Sequence, residues 1–177
     1  MSYLTRTPQN TNTLQPTKFL LTFDRITTTQ YFCQSVNIPG ISLGQIQVPT
    51  PVYDYNVAGN KLTYNQFDMR FLIDEPAQSW KNLYDWFLSI ASPKSIDDRN
   101  TLSTIQNNYK NQDKLTSYSD AVLTILSGLN NPVIRVQFIN MFPISLGDIS
   151  FDTTQSADDI MTSSASFVYE RFEFLPV

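Results

Sequence analysis

The 177-residue sequence has no histidine. The usual general base of serine and cysteine hydrolases is therefore missing, and so is the commonest zinc ligand. Cysteine occurs once, at Cys33, which excludes an intramolecular disulfide or a zinc site built from thiolates. In Tyr31-Phe32-Cys33-Gln34, an apparent strand, this thiol is expected to serve as a small buried hydrophobe. The five glycines are scattered, so no phosphate-cradling loop or nucleophile elbow can be drawn. Charged residues make up only 16% of the chain, against roughly 25% in ordinary soluble domains. Much of the surface is left to Asn, Gln, Ser and Thr, a balance that suits a protein buried in an assembly. The net charge is −4 with no cluster of Lys or Arg, which argues against specific nucleic-acid binding. No apolar run reaches the length of a membrane span, and Met1 to Gln15 is too polar for a signal peptide. The acidic pairs Asp74-Glu75, Asp97-Asp98 and Asp158-Asp159 are sequence neighbours whose side chains diverge, unlike the facing carboxylates of a glycosidase. The expectation is a protein that is not an enzyme and uses neither cofactor nor metal.

What the sequence does contain is organised around Asn60 to Ile90, where a strand pattern becomes a helix pattern. Phe67, Met69, Phe71 and Ile73 alternate with Asp68, Arg70, Leu72 and Asp74, the period of a half-buried strand. Beyond Asp74-Glu75-Pro76, Trp80, Leu83, Tyr84, Phe87 and Ile90 recur at helical spacing, which predicts a helix over about 77–91 covering a sheet. The acidic pair favours the helix start, Pro76 suits its first turn, and Ser79 offers an alternative cap. Pro93 should end it by about Ala91.

Around this centre, residues 1–16 read as an arm that orders only against something else, and 17–177 as one domain. Phe19, Leu21 and Phe23 define a first strand, followed by a turn around Thr27 to Thr29 and a second strand over Tyr31 to Val36. The two are expected to pair antiparallel. From Gly40 to about residue 60 the chain is rich in β-favouring apolar residues yet broken by Gly44, Pro49, Pro51 and Gly59. Such a segment makes at most an edge strand or a protruding hairpin, a candidate for pairing with another subunit. A slip in phase near Asn65-Gln66 predicts a bulge or tight turn. Residues 94–119 form a long polar loop. Strands then follow over Ala121 to Leu126 and around Ile134 to Phe138, with a break at Phe142-Pro143 before Ile149 to Phe151. The last run from Ala165 to Phe174 completes about seven strands. The fold class is therefore mainly β, an antiparallel sandwich or barrel with one flanking helix.

Several local patterns, taken in order, resemble a known family. These are Pro16-Thr17-Lys18-Phe19, Asn37-Ile38-Pro39-Gly40, Pro49-Thr50-Pro51, Ala58-Gly59-Asn60-Lys61-Leu62, Asp74-Glu75 before Trp80 and Asp85-Trp86, and Phe142-Pro143-Ile144-Ser145-Leu146. Together they resemble the tail tube proteins of contractile-tailed bacteriophages, a group that includes baseplate-proximal tube and tube-terminator proteins. The likeness runs from about residue 16 to the end. It implies a virion structural protein, assembled in the host cytoplasm, in which six protomers share strands around a ring. Rings would stack into a tube that conducts DNA as passing cargo, similar in architecture to the type VI secretion inner tube. Tail sheath, baseplate or neck proteins would be the other partners, with no membrane involved. On this resemblance the 40–60 segment is the hairpin that meets a neighbouring ring, and Ile46, Val48, Val52, Tyr53 and Tyr55 are its inter-subunit contacts. The arm and the 94–119 loop match no family pattern, so a terminator or baseplate-proximal ring stays open beside the repeating tube subunit. Low charge suits burial in such a tube, and a mild negative balance suits a lumen that must not hold DNA. A carbohydrate-binding β-sandwich is a further alternative; exposed Tyr or Trp on a flat platform would support it, whereas burial of Trp80 and Trp86, the expected result of packing, would weaken it.

Overall fold

A computed structural model of the protein describes residues 12–26, 32–91, 118–154, 156 and 159–176. Nine strands and one helix follow in order: β1 (Phe19–Phe23), β2 (Cys33–Val36), β3 (Ile41–Val48), β4 (Tyr55–Tyr64), β5 (Phe67–Leu72), α1 (Gln78–Ile90), β6 (Ser119–Leu126), β7 (Pro132–Leu146), β8 (Thr162–Val168) and β9 (Arg171–Leu175). Seven strands join in one antiparallel sheet of order β1-β6-β7-β8-β5-β2, with β9 on the free side of β7, while β3 and β4 pair only with each other. The protein is thus mainly β with one helix, as its residue pattern predicts.

The sheet turns into two layers because β7 belongs to both. Its first half pairs β6 and β9, up to Ile139 opposite Arg171, and its second half pairs β8 from Phe142 opposite Val168. Asn140 makes the corner at φ 53°, a left-handed conformation that Asn tolerates better than most residues. Its amide donates to Asp120 Oδ1 at 3.1 Å and its Nδ2 to Glu170 Oε2 at 2.6 Å. The expected break at Phe142-Pro143 is therefore corrected: the strand runs through it. Pro143 is accommodated where the register shifts between Pro143 and Ser145, a bulge where a missing N–H costs little. Ile149 to Phe151, expected as a strand, is irregular.

The layers meet through aromatic rings. Phe67 of β5 lies 4.8 Å from Phe138 of β7, and Phe23 of β1 lies 5.5 Å from Phe167 of β8. All four are fully buried, with Leu21, Met69, Phe71, Leu123 and Val136 around them. Alternation along β5 is as read, with Phe67, Met69 and Phe71 inward and Asp68 and Arg70 outward.

Partners were less legible than strands. The expected β1–β2 pair does not form: β1 pairs β6, Phe19 opposite Ile125, and β2 pairs β5, Cys33 opposite Phe71. Alternation names the buried face of a strand, whereas its neighbour is fixed by which aromatic faces can pack, across roughly a hundred residues for β1 and β6. The turn expected around Thr27 to Thr29 lies outside the described residues, as does most of the expected arm and of the 94–119 loop.

The helix sits on the sheet by a different face from the one its hydropathy suggests. Ser79, Leu83, Trp86 and Ser89 are buried, Trp80 and Ile90 pack partly against the core, and Tyr84 is exposed. The two serines occupy core-facing positions because small side chains let the helix approach the strands, and both hydroxyls are satisfied. Ser79 Oγ donates to Asp74 Oδ1 at 2.7 Å, and Ser89 Oγ donates to the Trp86 carbonyl at 2.7 Å while accepting from Arg25 Nη2 at 2.7 Å. Hydropathy counts serine as polar, so the predicted stripe passed over these positions and left out Trp86, although burial by packing was the expected fate of that ring.

Pro76 precedes the helix rather than opening it, and Ser79 is not its cap. Ala77 occupies the cap position in a left-handed conformation, while Asp74 reaches across to accept the amides of Gln78 at 3.1 Å and Ser79 at 2.9 Å. Desolvation opposes the Asp74 charge, but the Ser79 amide and hydroxyl and the Gln78 amide outweigh it and hold the carboxyl below its usual 3.8. A depressed native pKa contributes stability above the unfolded value, lost as pH falls through the native one. Asp74→Ala should cost about 0.5–2 kcal/mol at neutral pH, the range for losing a helix cap. The deficit against wild type should shrink as pH drops below 3.8, the ordinary value, and paired denaturant titrations at neutral and acid pH read it directly.

Candidate assembly interface

Two strands without a third are marginal alone in water, and β3–β4 has no third among the described residues. Its root is nevertheless firmly tied. The Asn65 amide donates to the Gly40 carbonyl at 3.0 Å, and the Tyr169 hydroxyl donates to the Asn65 carbonyl at 3.0 Å. Tyr64 packs at 5.8 Å from the Tyr169 ring and 5.6 Å from Phe172. Burial first, and the neighbouring Tyr64 second, push the Tyr169 phenol up to about 12, so it stays a neutral donor across the ordinary pH range.

Beyond the root the hairpin faces solvent. Of the nineteen large apolar residues exposed among the described residues, eight lie between Ile41 and Leu62. That density exceeds what scattered surface hydrophobes explain, and it makes the hairpin the candidate contact surface. The register shows how they group. Ile46 stands opposite Val57 and Val48 opposite Tyr55, so these four share one face; Ile41 pairs Tyr64 and Leu43 pairs Leu62 across a register shift at Gly44. The tip is a turn held by Thr50, whose Oγ1 bonds to the Tyr53 carbonyl and accepts the Tyr53 amide at 3.2 Å. Val52 at the tip is 90% exposed, and the Tyr53 and Tyr55 rings lie 6.4 Å apart. Gln47 Nε2 donates to Asp54 Oδ2 at 2.9 Å, which ties β3 to the tip.

Of the five contacts proposed from sequence, Ile46, Val52, Tyr53 and Tyr55 are exposed and Val48 is half-buried. Val57, Leu43, Ile41 and Leu62 are exposed on the same hairpin and were not singled out. Cross-strand register was the missing signal, since Val57 gains meaning only when placed opposite Ile46.

Gly59 is where the hairpin is closest to itself. A Cβ there would fall 2.5 Å from the Gly44 carbonyl oxygen and 2.9 Å from its carbon, backbone that no rotamer can move aside. Gly59→Ala should therefore part β3 from β4 while leaving the core intact. The expected result is a thermal midpoint near wild type with assembly lost, read by calorimetry and sedimentation velocity.

No group of three or more His, Cys, Asp or Glu able to hold a metal occurs among the described residues. Burial pushes the Cys33 thiol up to about 11, so it is not an activated nucleophile. Trp86 is fully buried, with Phe23 and Phe167 rings at 6.4 and 5.8 Å and the Arg25 guanidinium carbon at 5.4 Å. Trp80 stacks on Tyr84 at 5.6 Å and donates its Nε1 to the Gly147 carbonyl at 3.0 Å. Burial of Trp86 and partial burial of Trp80 weaken the sugar-binding alternative.

The chain is a two-layer β protein whose apolar hairpin has no third strand among the described residues. The chain belongs to the phage tail tube protein family, whose model matches residues 7–175. It is 24% identical over 169 residues to the tail tube terminator protein of Enterobacteria phage T4, spanning 92% of this chain and 89% of that protein. Its fold resembles the anti-feeding prophage tube-terminating cap, with a TM-score of 0.66, 13% identity and 100% of each chain covered. It also resembles a chain of the PVC extracellular contractile injection system sheath–tube complex in the extended state, with a TM-score of 0.62, 16% identity and 94% of each chain covered. The protein is thus a structural component of the phage tail tube class.

Proposed function

We propose that this protein forms the ring that terminates the tail tube of a contractile phage, the reading set beside the repeating tube subunit at the outset. The observation that carries it is the end-to-end correspondence with the T4 tail tube terminator, which leaves no large segment of either chain unmatched. The full-length fit to a tube-terminating cap supports the same reading at the level of fold. In this role the protein has no enzymatic activity. It assembles as a homo-oligomeric, hexameric ring in the host cytoplasm, seats on the last tube ring, and meets sheath or neck proteins while DNA passes through. The apolar hairpin supplies the contact, since a closed ring satisfies surfaces and edges that a monomer leaves open.

Electron microscopy of the purified protein tests this. Discrete rings that add to the end of preformed tubes are expected. Long tubes grown from the protein alone would instead make it the repeating subunit.

A further inference from the structure

We propose that β9 of one copy pairs antiparallel with β1 of the next, so that the β1-β6-β7-β9 layer continues from subunit to subunit. This rests on the reading that the protein forms a ring, and it names the strands that join one. The observation that carries it is a core row that ends in the open. Register aligns Leu21, Leu123, Val136 and Phe174 across the layer. The first three are 1%, 1% and 0% exposed, whereas Phe174, in the same row on the core side, is 64% exposed. In the next row Tyr64 packs on Phe172 with ring centroids 5.6 Å apart, yet Phe174 stays open. Among the described residues β9 pairs only with β7 and β1 only with β6, so the layer has two open edges. An apolar row and a ladder that stop at the same edge are both completed by one more strand.

Strand direction selects the partner. Neighbours in a closed ring present their strands in nearly the same sense. Successive strands of this layer alternate in direction, so β1 and β9 run oppositely, and β1 of the next copy follows β9 with the antiparallel pattern unbroken. The open edge at the other end of the sheet, β2, runs the same way as β9 and would give the less stable parallel pair. The two edges also match in length, five residues each. With Phe174 set opposite Leu21 of the next copy the core row continues, and the outer face matches as well. Leu175 then meets Leu20, which is 45% exposed, and Arg171 comes opposite Asp24. Different strands meet in this contact, which makes it head-to-tail, the kind that generates rings. It is separate from the β3–β4 hairpin, so each subunit is held to its assembly at two places.

The test is cross-linking in the full chain. With Cys33→Ser removing the native thiol, Thr22→Cys and Glu173→Cys, opposite each other in this register, are combined and mildly oxidised after assembly. A non-reducing gel should then show a ladder of covalent species of three and more subunits, whereas either cysteine alone can give no more than a dimer. Rings of the double variant that yield no ladder would overturn the strand assignment and leave the ring reading intact. Wild-type protein that stays monomeric in sedimentation velocity would remove both together. A ladder from Glu173→Cys with Leu62→Cys instead would give β9 to the neighbouring hairpin and overturn the proposal. Independently, Phe174→Asp should keep the wild-type thermal midpoint while weakening self-association by about tenfold or more, the loss of an apolar contact at each repeat of the interface. Unchanged self-association in that variant would also overturn it.

Discussion

Trp86→Ala should destabilise the protomer by about 3–5 kcal/mol, the range for emptying a buried tryptophan site. Trp86 has no exposed surface and is among the largest fully buried side chains. It carries the helix onto both layers at once, touching Phe23 of β1 and Phe167 of β8. Its loss leaves a cavity that β8 cannot collapse into, because it is fixed in ladders with β7 and β5, while β1 is held along its length by β6. It also strips the aromatic face from Arg25, a guanidinium that burial has already lowered to about 10. Ser89 would still hold one Arg25 nitrogen, so part of that charge stays compensated. With total stability of order 5–15 kcal/mol for a domain, the substitution removes a large share. Denaturant unfolding followed by circular dichroism would measure it. Trp86→Phe should lose much less, and a loss near 1 kcal/mol for the alanine variant would mean the helix is not the anchor described.

How much of this could be read beforehand depends on whether a feature was local. The strand over Phe67 to Ile73, the helix over about 77–91 and the interrupted segment after Gly40 follow from periodicity and from proline and glycine positions, all properties of neighbouring residues. Strand partners, the corner at Asn140 and the core-facing serines do not. Asn140 turns β7 because Asp120 and Glu170 receive its nitrogens, twenty and thirty residues away. Serines 79 and 89 are buried because Asp74, Arg25 and backbone carbonyls satisfy them. Both features depend on partners that tertiary structure brings together, so composition and period carry no trace of them. The candidate interface divides in the same way. Tyr53 and Tyr55 stood out as apolar residues in a segment unfit for a central strand, whereas Val57 and Leu62 needed a register.

Tyr53→Asp with Tyr55→Asp should leave a folded protomer that no longer assembles. Both rings project from the hairpin, Tyr53 66% and Tyr55 44% exposed, and neither touches the core cluster. Surface changes of this kind normally move stability by less than about 0.5 kcal/mol, so unfolding should be nearly unaltered. In an assembly the same positions lie where the apolar surface is densest, beside Val52 and opposite Val48. Two carboxylates there would be desolvated without a cation, since Lys61 is the only basic residue between Ile41 and Tyr64. Lost aromatic contact and unpaired charge together should weaken each contact by about 4 kcal/mol, roughly a thousandfold in affinity. In a ring every contact is repeated by symmetry, so a defect of that size at each one stops closure altogether. Sedimentation velocity should then show monomer at concentrations where the wild type is assembled, and electron micrographs should lack rings. Assemblies of normal size from the double variant would move the interface elsewhere, most directly to the exposed Phe174 on β9, which among the described residues pairs only with β7. Asp at position 53 alone should give an intermediate loss, because Tyr55 keeps its place opposite Val48 when Tyr53 leaves.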